Sequence, residues 1–268
     1  MKTSISILGE QIKNLKLITS LGLFELKTKY AGNYLGLLWI FINPLLQIGV
    51  YWFAFGIGLK SGQPVRDIPY VYWITVGLIV WFYVNGSLSI GTGSIYTRIN
   101  IISKMNFPVS IIPTFIVFSQ LIEHLILLLG TLLVFNLVGL PINIHYLELP
   151  YYLICTTAMV VSFNILLATL ATFIRDIKLL VASALKFGMF LSPILWSPDH
   201  LSAGLQFLIK LNPVYYLITG YRTAIFGQGK WFYEQPLYAL YFWALVIIVF
   251  MIGANANKRM RENLLDYL

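Results

Sequence analysis

The sequence predicts an all-α integral membrane protein that crosses the bilayer about six times, and three observations carry that expectation. Apolar residues make up 59% of the 268 residues and charged residues only 10%, whereas a soluble domain carries about 25% charged residues. Several charge-free runs reach roughly 20 residues, enough for a helix to span a ~30 Å hydrocarbon core. These runs are continuously apolar rather than alternating, which separates spanning helices from the period-two segments of a membrane β-barrel.

The elements follow in order. Residues 1–35 form an amphipathic helix: Leu8, Ile12, Leu15, Ile18 and Leu21 recur at helical spacing, with Glu10, Lys13 and Lys16 between them. Such a segment lies at the headgroup level, unless it packs as a solvated helix on a partner. Residues 36–268 form one membrane domain. Its spans are expected at about 36–58, 70–92, 109–140, 149–174, 179–196 and 237–256, with Pro113 and Gly130 as points where the third tilts or breaks. The segment between the fifth and sixth spans is too interrupted to cross. Within it, Asn212 at a cap position, Pro213 at the first helical position and Gly227 at the end mark a helix of about fourteen residues. That length fits a re-entrant or interfacial segment.

Charge orients the chain. Lys2, Lys13, Lys16, Lys27, Lys29, Arg98, Lys104, Arg175, Lys178, Lys258, Arg259 and Arg261 fall on one side, and Lys60, Arg66, Lys210, Arg222 and Lys230 on the other. The positive-inside rule places both termini in the cytoplasm, as an even number of spans requires. The net charge of +8 is dispersed among loops and does not signal nucleic acid. A lone cysteine, Cys155, excludes an intrachain disulfide. The first thirty residues contain no compact apolar stretch of the signal-peptide kind.

Soluble-enzyme signatures are missing. His124, His145 and His200 are far apart in sequence, and Gly227-Gln-Gly229-Lys230 is followed by Trp231 where a P-loop needs Ser or Thr. No catalytic residue, metal ligand or directly bound cofactor is therefore expected. Trp39, Asn43, Gln47 and Tyr51 repeat every four residues and form one stripe on the first span. Asn and Gln are costly against lipid, so this stripe either borders a wet path or bonds to neighbouring helices. Glu123 and His124 lie inside the third span and are functional candidates; the alternative for Glu123 is neutralisation by its own pKa shift or by a neighbouring helix. Lys186 in the fifth span either snorkels to the surface or meets an anionic headgroup. Between spans 2 and 3, Arg98, Ile99, Ile102, Lys104, Met105 and Phe107 belong to a short apolar and basic loop suited to docking into a groove on another protein. Arg175 and Asp176, between spans 4 and 5, pair locally or touch a partner.

Several stretches resemble ABC-2 type permeases that export polysaccharides and polyol phosphates. They are Lys27-Thr-Lys-Tyr-Ala-Gly-Asn-Tyr-Leu-Gly-Leu-Leu-Trp-Ile-Phe-Ile-Asn-Pro44, Lys104-Met-Asn-Phe-Pro108, Phe173-Ile-Arg-Asp176, and Ser192-Pro-Ile-Leu-Trp196 with Asn212-Pro213. Within that family, Val50–Gly56 and Ser61–Val65 look closest to teichoic acid translocation permeases. The resemblance implies a half-transporter in a bacterial plasma membrane. A second copy completes the pathway, and a separate ATPase subunit binds ATP and Mg2+. The loop at Arg98–Pro108 and the turn at Arg175–Asp176 are then the ATPase-coupling elements. Trp39, Asn43, Gln47, Tyr51 and Lys186 border the path of a lipid-linked anionic polymer. The expected cargo is wall teichoic acid on undecaprenyl pyrophosphate, with O-antigen or capsular polysaccharide as the alternative. An ion-coupled carrier is the competing class, and it calls for several membrane carboxylates.

Overall fold

The structure, a computed structural model, describes residues 2–58, 64–98 and 107–266. Two amphipathic helices come first, α1 (Lys2–Lys13) and α2 (Leu15–Tyr30). A short 3-10 turn (Gly36–Leu38) leads into α3 (Trp39–Tyr51), which continues as a π-helical stretch (Trp52–Gly58). There follow α4 (Tyr70–Thr92), α5 (Ile111–Leu137), α6 (Leu149–Phe173), α7 (Ile177–Leu191), α8 (Ala203–Lys210), α9 (Pro213–Phe226) and α10 (Pro236–Asp266). Among the described residues there is no strand. One tight turn pairs Val65 with Ile68 across Arg66 and Asp67, which take φ of 51° and 65°.

Among the described residues, five helical segments are long and apolar enough to cross a membrane: Gly36–Gly58, Tyr70–Thr92, Ile111–Leu137, Ile144–Phe173 and Pro236–Glu262. The expected fifth span at 179–196 is instead α7, a helix of 15 residues. Pro193 explains the early stop. It biases the preceding residue away from helix, and Ser192 is extended at φ −82°, ψ 145°. The apolar run continues through Ile194 and Leu195 as a buried turn. The third span is unbroken. Pro113 sits in the first turn of α5, where no intrahelical donor is lost. Gly130 makes room for the ring of Phe41 from α3, which would lie 2.8 Å from a β-carbon there.

Burial identifies α4 as the axis of the bundle: 72% of its most apolar stretch is buried, against 11% for Gly36–Gly58. It packs against α5, α6, α7 and α9. The main core joins Ile74, Leu78, Met159, Leu217, Tyr221 and Phe242 from four helices. The α10 helix lies on α6, and α2 lies on α5.

The expected apolar stripe of the N-terminal region divides. Leu8, Ile12 and Leu15 stay exposed, Leu21 is half-buried, and Ile18 is buried together with Gly22, Leu26 and Tyr30. That i, i+4 stripe runs along α5. A β-carbon at Gly22 would meet the Phe115 carbonyl at 2.9 Å, so glycine permits the close approach.

The predicted helix at Asn212–Gly227 forms with the expected caps. Asn212 accepts from the Val214 amide at 3.0 Å, and Gly227 takes φ of +68°. Asn212 also donates to Ser192 Oγ at 2.8 Å, so two motifs twenty residues apart hold each other. Arg222, counted on the outer side by charge, is buried in α9. Its guanidinium donates to the carbonyls of Trp73, Pro193 and Ile194 at 3.2, 2.7 and 3.0 Å.

Candidate functional site

The stripe on the first span opens onto a groove of about 540 Å³. Trp39, Asn43 and Gln47 form one wall, Phe82, Asn85 and Gly86 of α4 the second, and Lys29, Tyr30 and Glu123 close it. Asn43 and Gln47 are exposed. Tyr51, the fourth residue of the stripe, stands outside the groove and donates to Met189 Sδ of α7 at 3.4 Å. Lys186 is not among the lining residues; it is exposed on α7, beside the buried Leu185 and Met189.

Glu123 is held by three donors. Lys29 Nζ lies 2.7 and 2.8 Å from its two oxygens, Gln120 Nε2 donates at 3.1 Å and the Tyr30 hydroxyl at 3.2 Å. Of the two sequence alternatives for this carboxylate, the geometry matches neutralisation by a neighbouring helix. Burial, and then the Glu123 carboxylate, push the Tyr30 phenol above its ordinary range, so it stays a neutral donor. His124, one residue on, turns inward: its ring stacks on Tyr83 at 4.8 Å and Nε2 lies 3.1 Å from the Tyr221 hydroxyl. Lys29 and Asn85 escaped the sequence reading because their relevance depends on helix packing. Glu148 escaped because the predicted span began one residue later; it is buried against His145 Nδ1 and the Phe232 amide, both at 2.9 Å. Among the described residues no group of three or more His, Cys, Asp or Glu is placed to hold a metal ion.

Residues 16–226 match the family described as ABC-2 type transporter. The chain belongs to that family. An O-antigen export system permease protein RfbA of Myxococcus xanthus is 28% identical over 242 residues, covering 90% of each chain. A Klebsiella pneumoniae protein of the same description is 27% identical over 246 residues, covering 91% of this chain and 92% of its own. A second from Klebsiella pneumoniae is 26% identical over 212 residues, covering 78% and 80%.

The opposite feature of this ABC-2 permease is the end of the bundle where α4 stops and α5 begins. Ile99, Ile102, Lys104 and Met105 lie outside the described residues. Their neighbours do not. Arg98 donates to both oxygens of Glu25 on α2, at 3.0 and 2.9 Å, and its guanidinium sits 5.4 Å from the Phe115 ring centre. Phe107 packs against a small core of Ile18, Ile95, Val109, Ile112 and Phe115. Arg175 is not paired with Asp176; its guanidinium lies 5.0 Å over the Tyr96 ring. Asp176 is exposed at the start of α7. At the same end, Glu10 of α1 accepts from Ser110 at 2.6 Å and from Arg261 of α10 at 2.7 Å. Of the described residues assigned to coupling, Arg98 and Phe107 are thus tied to α2, and Arg175 to Tyr96 near the end of α4.

Proposed function

We propose that this permease is the transmembrane half of an ATP-driven exporter that moves a lipid-linked polysaccharide of the O-antigen kind out of the cytoplasm. The observation that carries this reading is the match along about nine tenths of both chains to a permease described as exporting O-antigen. The teichoic acid cargo suggested by Val50–Gly56 and Ser61–Val65 has less behind it. Ser61–Gln63 lie outside the described residues, and the three relatives named above carry O-antigen descriptions.

A separate ATPase subunit docks at the surface around Arg98, Phe107, Arg175 and Asp176. The polar groove beside α3 receives the lipid-linked cargo. Two copies build the pathway, with both termini cytoplasmic. In this arrangement α7 is a short fifth crossing, and α8 and α9 are re-entrant from outside. The ion-coupled carrier fits less well, because Glu123 and Glu148 are each engaged by several donors rather than free to bind a cation.

The test is depletion of the chain in its host, followed by analysis of the glycan that builds up inside the cell. Intracellular O-polysaccharide is the expected result. Accumulated teichoic acid would return the cargo to that polymer. If no glycan accumulated, and no ATPase subunit co-purified with the chain, the exporter reading would fail.

A further inference from the structure

Lys29 is the one cation among the described residues that line the groove. Among the described residues its acceptor is Glu123, but Glu123 does not depend on Lys29. Gln120 and Tyr30 also donate to the carboxylate, at 3.1 and 3.2 Å. The two side chains are unequally placed, with 39% of the lysine exposed and 16% of the glutamate. An ion pair with so exposed a member contributes little by itself. Taking the lysine away would leave the carboxylate with two donors, which avoids the penalty of an orphaned buried charge.

We infer that Lys29 is the cation that receives the diphosphate of a lipid-linked glycan in this groove, giving up Glu123 for phosphate oxygens. This inference rests on the exporter reading above and adds the residue and the chemistry of recognition. The surroundings suit such a ligand. Asn43, Gln47 and Asn85 supply amide donors and acceptors, and Trp39 offers an aromatic face to a sugar. The volume of about 540 Å³ falls within the range of small-molecule sites. Leu45 and Leu46 on the same helix are 61% and 62% exposed, an apolar flank against which the lipid tail can lie. The retained carboxylate keeps binding weak enough for the headgroup to move on, since it repels the phosphate that replaces it.

The experiment uses the full chain in lipid nanodiscs, with farnesyl diphosphate as the probe and farnesol and inorganic pyrophosphate as controls. Lys29→Gln is expected to weaken binding about tenfold, the loss of one charge-assisted bond. Lys29→Arg should keep most of the affinity. Glu123→Gln should tighten binding, because it removes the competing charge and retains a hydrogen-bonding side chain. A gain of affinity cannot arise from misfolding, so this variant separates recognition from a merely structural ion pair. Equal losses in Lys29→Gln and Glu123→Gln would overturn the inference, as would unchanged binding in Lys29→Gln or no binding by the unaltered chain. Inorganic pyrophosphate binding as tightly as the lipid would overturn the assignment to a lipid headgroup. Glycan export, measured separately in the host, reports on the exporter reading. Export that depends on the chain, together with unaltered probe binding in Lys29→Gln, would sink only the present inference.

Discussion

A buried arginine without a carboxylate partner among the described residues is the least expected feature of this chain. Arg222 faces three backbone carbonyls, and its guanidinium carbon lies 3.2 Å from the centre of the Trp73 ring. Those carbonyls come from the start of α4 and from the turn after α7, so one side chain ties α9 to both. The planar fork reaches acceptors in several directions at once, which a single ammonium cannot do. Arg222→Met should therefore destabilise the permease by about 2–4 kcal/mol, because buried carbonyls lose their donors. Arg222→Lys should recover only part of that loss. Thermal unfolding in detergent checks both; a melting temperature unchanged in Arg222→Met would remove the clamp role. None of this was legible in the sequence, because the acceptors are backbone groups up to 149 residues away. By contrast, the caps of α9 were legible. Asn212, Pro213 and Gly227 act within one or two residues of themselves, and local chemistry survives any packing.

At the scale of elements, α2 connects the two surfaces proposed as functional. Glu25 and Lys29 are one helical turn apart on it. Glu25 binds Arg98 at 2.9 Å, beside the loop assigned to ATPase coupling, and Lys29 binds Glu123 at 2.7 Å in the groove. A shift of α2 is felt at both ends because its Gly22 stripe leaves no slack against α5. Arg98→Glu should reduce export per ATP hydrolysed, by placing two carboxylates together. The reversed pair, Arg98→Glu with Glu25→Arg, should restore most of it. Export and ATP turnover measured in the same vesicles decide the matter, and failure of the reversed pair to rescue would assign Arg98 to a contact with the ATPase instead. The helical period of the N-terminal region was visible in the sequence. Its packed face was not, since Leu8 and Ile12 look as apolar as Ile18 and only the position of α5 chooses between them. The end of α7 was misplaced for a similar reason: hydropathy runs past Leu191 without interruption, and the stop comes from the backbone geometry imposed by Pro193.

For the whole molecule, burial falls steeply from the centre outward. The most apolar stretch of α4 is 72% buried, that of Pro236–Glu262 is 22%, and that of Gly36–Gly58 is 11%. Lipid alone can cover a bare apolar helix, but it covers the Asn43–Gln47 stripe poorly, because polar side chains are expensive in hydrocarbon. The exposed face of α7, next to the Tyr51–Met189 contact, extends the same flank with Phe187 and Phe190, 70% and 56% exposed. A second copy of the permease set against this flank would shelter the stripe and enclose a path between the two chains. Cys155, the chain's single cysteine, is fully buried, so the background for thiol chemistry is low. Phe187→Cys or Leu46→Cys, treated with a short bis-maleimide in native membranes, should yield a cross-linked species of twice the chain mass. The yield should not fall as the protein is diluted into more lipid. Monomer alone at both positions would place the second copy elsewhere and leave the groove a single-chain feature.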